Sequence, residues 1–178
     1  MAFKFIARLF GAAGAEPLAA GRPAPLFTLK DLEGQEHALE DALKRGPVLL
    51  AFFKVSCPTC QFTFPYLERL HQSIRRGDNP PLWGISQDDA PNTRQFAQEY
   101  GCTFPMLVEE DGYPVSNDYG LTNVPTLFLI QPSREIQLAS VGFDRRDLEA
   151  IAEALGRLSG QPVALFRPGE PVPDHKPG

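Results

Sequence analysis

Six consecutive apolar residues, Val48-Leu49-Leu50-Ala51-Phe52-Phe53, make the pattern of a strand buried on both faces of a sheet. Leu82-Trp83-Gly84-Ile85-Ser86 and Thr126-Leu127-Phe128-Leu129-Ile130 repeat it, and Phe104 to Val108 reads as extended. Ile136 to Val141 reads as an edge strand paired with the 126–130 run. Helical spacing appears in three places. Phe64, Leu67, Leu70 and Ile74 share one side of a segment from Gln61 to Ile74, which Pro65 should kink. Asn92 to Tyr100 is helical and stops at Gly101. Arg146 to Leu158 is amphipathic, with Leu148, Ile151, Leu155 and Leu158 expected on its inner face. Near the start, Leu26 to Leu29 and Gln35 to Leu39 flank the turn-rich Asp31 to Gly34 and predict a β-hairpin, followed by a short helix over Glu40 to Lys44. The segment holding Gly112, Pro114 and Gly120 reads as irregular. Strands alternating with helices, then a hairpin and a final helix, predict an α/β sandwich around a central mixed sheet.

Both ends read differently from this middle. Phe3, Ile6, Ala7 and Phe10 fall at helical spacing, while Arg8 interrupts any apolar run long enough for a secretory signal. Residues 1–22 therefore read as an amphipathic segment and linker, 23–160 as the domain, and 161–178, with five prolines, as an extended or disordered tail. Within that tail only Val163 to Phe166 looks able to pack, and Asp174 and His175 look solvated. The expected location is cytoplasmic, with the cell envelope as the alternative.

At 178 residues the chain suits one domain. A net charge of −5 without a basic cluster argues against nucleic acid as a partner. No apolar stretch approaches the roughly 20 residues of a membrane helix, though association of the first segment with a membrane stays open. Three cysteines cannot build a disulfide framework.

Two of those cysteines carry the chemistry. Cys57-Pro58-Thr59-Cys60 lies where the first apolar strand gives way to a helix. A helix N-terminus presents unpaired N–H groups and partial positive charge, which favours thiolate over thiol. Two intervening residues place the second sulfur one turn along, within reach of a short disulfide. The competing use of a Cys-x-x-Cys is half a zinc site, which needs two further ligands. Cys102, His37, His71 and His175 are the candidates, and no two of them form a pair in sequence. Redox chemistry is the better fit, with no metal and no cofactor.

With these elements placed, the stretch from Pro25 to Leu158 resembles the thioredoxin superfamily. Four matches carry the likeness: the strand, Cys-x-x-Cys and helix in that order; Pro65, five residues past the second cysteine; Asn123-Val124-Pro125-Thr126 leading into an apolar strand, similar to the family's cis-proline strand; and Pro25 to Leu29 with its turn, similar to the amino-terminal extension of the TlpA/ResA and peroxiredoxin branches. The Tyr119 to Thr126 run is most similar to the TlpA/ResA-type thiol–disulfide oxidoreductases. Peroxiredoxins place a Thr or Ser three residues before their reactive cysteine and a Pro four residues before that. This chain has Lys54 and Leu50 there, so hydroperoxide reduction, an antioxidant activity, is the alternative function.

The resemblance implies a thioredoxin-like three-layer sandwich with an N-terminal β-hairpin extension. It implies Cys57 as nucleophile, Cys60 as resolving thiol, a redox-active Cys57–Cys60 disulfide, and a substrate-binding Val124 next to a cis Pro125. Expected partners are protein or small-molecule disulfides and thiols, with an upstream reductase or oxidant. Two departures stand out: Ser56 replaces the Trp that usually precedes the first cysteine, and Ala51 replaces a buried Asp that accepts the second thiol's proton. Glu68 and Glu109 are possible substitutes for that acceptor, though surface placement is the simpler expectation. Lys54 could steady a thiolate, and Cys102 reads as a small buried hydrophobe.

Overall fold

A computed structural model describes residues 16–74, 82–109, 111–160 and 162–178. Segment 1–15, with the expected amphipathic helix, lies outside them. The chain runs β1 (Thr28–Asp31), β2 (Glu36–Ala38), α1 (Leu39–Leu43), β3 (Val48–Phe53), α2 (Pro58–Ile74), β4 (Leu82–Ser86), α3 (Ala90–Glu99), β5 (Met106–Val108), α4 (Pro114–Asp118), β6 (Thr126–Ile130), β7 (Ile136–Val141), β8 (Phe143–Asp144), α5 (Arg145–Ser159) and β9 (His175–Lys176).

Seven strands form one sheet in the order β2-β1-β5-β4-β3-β6-β7. β3, β4 and β5 run parallel, whereas β6, β7 and the β1–β2 hairpin join antiparallel, so the sheet is mixed. The all-apolar runs occupy its centre, because only strands covered on both faces can bury every side chain. Every residue of β3 is buried. Leu49, Ala51 and Phe53 pack with α2, α3 and α5. Val48, Leu50 and Phe52 pack on the other face with α1 and α4. The result is a three-layer α/β sandwich that holds the end of β3, and with it Cys57, at the edge of the central sheet.

Three details differ from the expectations above. The Gly112 to Gly120 stretch contains a helix, α4, which periodicity misses because five residues are too few to show a 3.6-residue repeat. Leu158, expected on the inner face of α5, is 58% exposed; Leu148, Ile151 and Leu155 are buried. Leu158 lies ten residues after Leu148, where the apolar face has rotated past the sheet, in the last turn of the helix.

The third difference concerns the tail. Leu165 is buried in the same apolar cluster as α2 and α5. The Arg69 guanidinium on α2 donates to Leu165 O at 2.8 Å and grips both carboxylate oxygens of Glu170 at 2.8 and 3.1 Å. The Phe166 ring lies 5.1 Å from that of Tyr66. Farther on, Arg145 N donates to Asp174 O at 2.9 Å, and His175–Lys176 pair antiparallel with β8. Prolines limit this segment to a few local bonds, such as Glu170 N to Arg167 O and Val172 N to Glu170 O, and the domain surface supplies the other partners. The linker docks in the same manner: Leu18 N donates to Tyr119 O, and Gly21 N to Ile136 O.

Candidate active site

The α2 helix begins at Pro58, a residue whose missing N–H costs nothing in a first turn. Cys57 therefore stands at the N-cap. Its Sγ accepts from the Cys60 backbone N–H at 3.4 Å, the same bond that a capping Ser or Asp oxygen makes, and its carbonyl receives Gln61 N at 3.0 Å. Cys57 is half-buried and Cys60 fully buried, and the two sulfurs are not bridged. Burial pushes the Cys60 thiol far up, with further contributions from the neighbouring Cys57 and from Asp88. One cysteine faces a cleft with helix N–H groups around it. The other is held protonated behind it.

The loop before the helix is fixed on two sides. Asp88, just past β4, accepts Val55 N at 2.8 Å, and Gln61 Nε2 donates to Val55 O at 2.9 Å. Asp88 is a carboxylate whose charge reaches Cys60. No pattern in the sequence marks it, because it enters from β4, more than 25 residues downstream.

Across the cleft, the Val124–Pro125 peptide bond is cis. The Cys57 thiol donates to Val124 O at 3.2 Å. All four residues expected at the site thus converge, from the β3–α2 junction and the loop entering β6. The cleft has a volume of about 420 Å³, and Lys54, Tyr113, Asn117, Asn123 and Gly178 are among the residues that line it with Cys57. Lys54 Nζ sits over the Tyr113 ring, 5.4 Å from its centre.

Other candidates lie elsewhere. The Glu68 carboxylate binds Thr103 through its N–H and hydroxyl, both at 2.7 Å, on the outer side of α2. Glu109, expected at the surface, is 7% exposed, because the β5 edge carries it under α4. It accepts Ser116 N at 2.8 Å and the Ser116 hydroxyl, which in turn accepts from Gln87 Nε2 at 2.7 Å. Gln87 and Ser116 also line the cleft, so this network forms its rear wall. Cys102 is half-buried, and burial pushes its thiol up to about 12. His37 bonds Asp31 at 2.7 Å, His71 meets the Phe104 ring edge-on, and His175 is on the tail. Among the described residues no three His, Cys, Asp or Glu side chains come together as a metal site.

Residues 20–139 match the family model described as the AhpC/TSA family. The chain belongs to this family. It is 31% identical over 139 residues to the thiol-disulfide oxidoreductase ResA of Geobacillus thermodenitrificans, covering 78% of this chain and 79% of that protein. The thioredoxin-like protein YneN of Bacillus subtilis is 32% identical over 126 residues, covering 68% and 71%. The thioredoxin domain of a thiol-disulfide oxidoreductase from Bacteroides vulgatus shares the fold, with a TM-score of 0.68, 23% identity, and coverage of 78% of this chain and 99% of that one. The thioredoxin-like expectation for the fold holds, and the relatives side with dithiol exchange over the peroxiredoxin alternative.

Proposed function

We propose that this AhpC/TSA-family chain is a thiol–disulfide oxidoreductase that exchanges a Cys57–Cys60 dithiol for a disulfide on its substrate. The observation that carries this reading is the unequal pair of unbridged thiols: one caps a helix beside the Val124 carbonyl, and the other is buried a turn behind it. Cys57 thiolate attacks one sulfur of a substrate disulfide, forming a mixed disulfide and releasing the other sulfur as a thiolate that takes up a proton. Cys60 then gives up its proton, for which Asp88 is the nearby acceptor, and attacks Cys57 Sγ. The Cys57–Cys60 bond forms, the second substrate thiol leaves, and two electrons have passed to the substrate. An upstream reductase resets the pair, and with an oxidant upstream the same steps run in reverse. The Val124 backbone would bind an extended substrate as an added strand.

Single substitutions test the division of labour. Cys60→Ser should accumulate a stable mixed disulfide with substrate, visible by non-reducing electrophoresis and mass spectrometry, whereas Cys57→Ser should trap nothing and lose turnover. Retained disulfide reduction by Cys57→Ser would overturn the mechanism. Stopped-flow mixing with hydrogen peroxide should give a rate close to that of a free thiol, since Lys54 stands where a peroxide-orienting hydroxyl is needed. The Thr59 hydroxyl, inside the Cys-x-x-Cys, donates to Pro177 O.

The expected cytoplasmic location gives way here to the cell envelope, because substrates with lasting disulfides belong to oxidising compartments. Among the described residues no helix is long and apolar enough to cross a membrane. Recovery of the protein in the envelope fraction of gently lysed cells is the expected result, and recovery with cytosolic markers would reverse this assignment.

A further inference from the structure

The tail reaches the active site. Beyond Asp174, Lys176 pairs with Phe143 on β8, and its ammonium lies 5.0 Å from the centre of the Phe62 ring. Pro177 O accepts the Thr59 hydroxyl, inside the Cys-x-x-Cys, at 2.6 Å. Gly178 O accepts Asn123 Nδ2 at 3.1 Å, from the loop that carries the cis-proline. The fit is close on both sides: a Cβ on Gly142 would stand 2.5 Å from Lys176 O, and one on Gly178 would stand 2.7 Å from Val124 O. Extended backbone from the same chain thus lies between the two cysteines' helix and Val124, the strip where an extended substrate would add.

The attachment is graded along its length. Residues 165–170 are fastened by the buried Leu165 and the two-pronged Arg69–Glu170 pair. Residues 175–178 are mostly exposed and held by a two-residue strand pairing, two side-chain hydrogen bonds, the Lys176–Phe62 contact and a 4.0 Å approach of His175 to Asp144. Pro171-Val172-Pro173 separates the two parts. A firmly rooted segment with a lightly held end keeps that end at high effective concentration over the groove, yet allows it to be displaced.

We propose that residues 175–178 determine substrate specificity by occupying the peptide side of the groove, an inference that rests on the oxidoreductase reading above. With the segment in place, the remaining cleft of about 420 Å³ beside Cys57 is of the size that takes small molecules. Low-mass disulfides reach Cys57 directly. An extended protein chain must first displace the segment, so its apparent rate is reduced by the fraction of time the groove is closed.

The test compares the reduced 178-residue chain with one ended after Asp174, on insulin and on 5,5′-dithiobis(2-nitrobenzoate). Shortening should raise the insulin rate about tenfold or more and change the small-disulfide rate by less than about threefold. Thr59→Val, which keeps the chain length and removes only the bond to Pro177, should shift insulin reduction in the same direction by a smaller factor, and it serves if the shortened chain does not melt cooperatively. An insulin rate that moves no more than the small-disulfide rate in either variant overturns the proposal and leaves the oxidoreductase reading intact. If the 178-residue dithiol reduces neither compound, that reading falls and the proposal falls with it.

Discussion

Cys57 and Cys60 are three residues apart and have opposite surroundings, and the difference comes from helix geometry. A strand that ends at Phe53, a short turn and a helix starting at Pro58 leave the first cysteine at the helix tip and turn the second toward the core. This much is legible in the sequence, since an apolar run, a Cys-x-x-Cys and a helical repeat follow each other without a gap. The roles of Asp88 and Glu109 are not, because burial of a carboxylate depends on what another element lays over it. Glu109 makes the point testable. Burial raises its carboxyl above the ordinary value of 4.5, against the lowering effect of its Ser116 bonds. The native state therefore holds this proton more tightly than the unfolded chain. Its contribution to stability is complete below about pH 4.5 and is lost as pH rises through the raised value. Urea unfolding of wild type and Glu109→Gln between pH 4 and 8 should show the difference shifting toward the Gln variant as pH rises. A flat difference would mean the carboxylate is satisfied in its charged form.

At the scale of elements, the six-residue and five-residue strands are readable because full burial on both faces leaves polar residues only at their ends, Ser86 and Thr126. The two-residue strands β8 and β9 are not. Their pairing exists only because the tail returns to a strand edge some 30 residues away in sequence, and no local pattern encodes a return. The Arg69–Glu170 pair shows how that return is secured. Arg69 holds the Glu170 carboxyl down at about 2, assisted by Arg167 N–H. A depressed carboxyl stabilises the docked tail above its unfolded value near 4.5 and ceases to do so as pH falls toward 2. Arg69→Ala should free the segment at neutral pH, seen as faster proteolysis around residues 162–170 with the central sheet still protected. Unchanged cleavage would assign the docking to Leu165 and Phe166 alone.

For the whole molecule, the tail moves the boundary of the folded unit. Prolines and a sparse apolar content set 161–178 apart as sequence, yet Leu165 shares one apolar cluster with Phe64, Leu67 and Ile151. A residue in that cluster should report on global stability even though it lies beyond the last helix. Two leucines decide the matter, and pattern and structure rank them in opposite orders. Leu158 fits the amphipathic repeat of α5 but is 58% exposed, whereas Leu165 sits in the proline-rich tail and is 3% exposed. Truncating a buried leucine costs about 2–5 kcal/mol through lost transfer energy and the cavity left behind, while an exposed one costs within about 0.5 kcal/mol. Chemical denaturation should therefore find Leu165→Ala destabilised by at least about 2 kcal/mol and Leu158→Ala close to wild type, with an unchanged denaturant slope in both. A near-neutral Leu165→Ala would mean that the tail docks without joining the cooperative core. A large loss places the segment over the active site and the sheet beneath it in one folding unit, so a change that loosens the core would also open the groove beside Cys57.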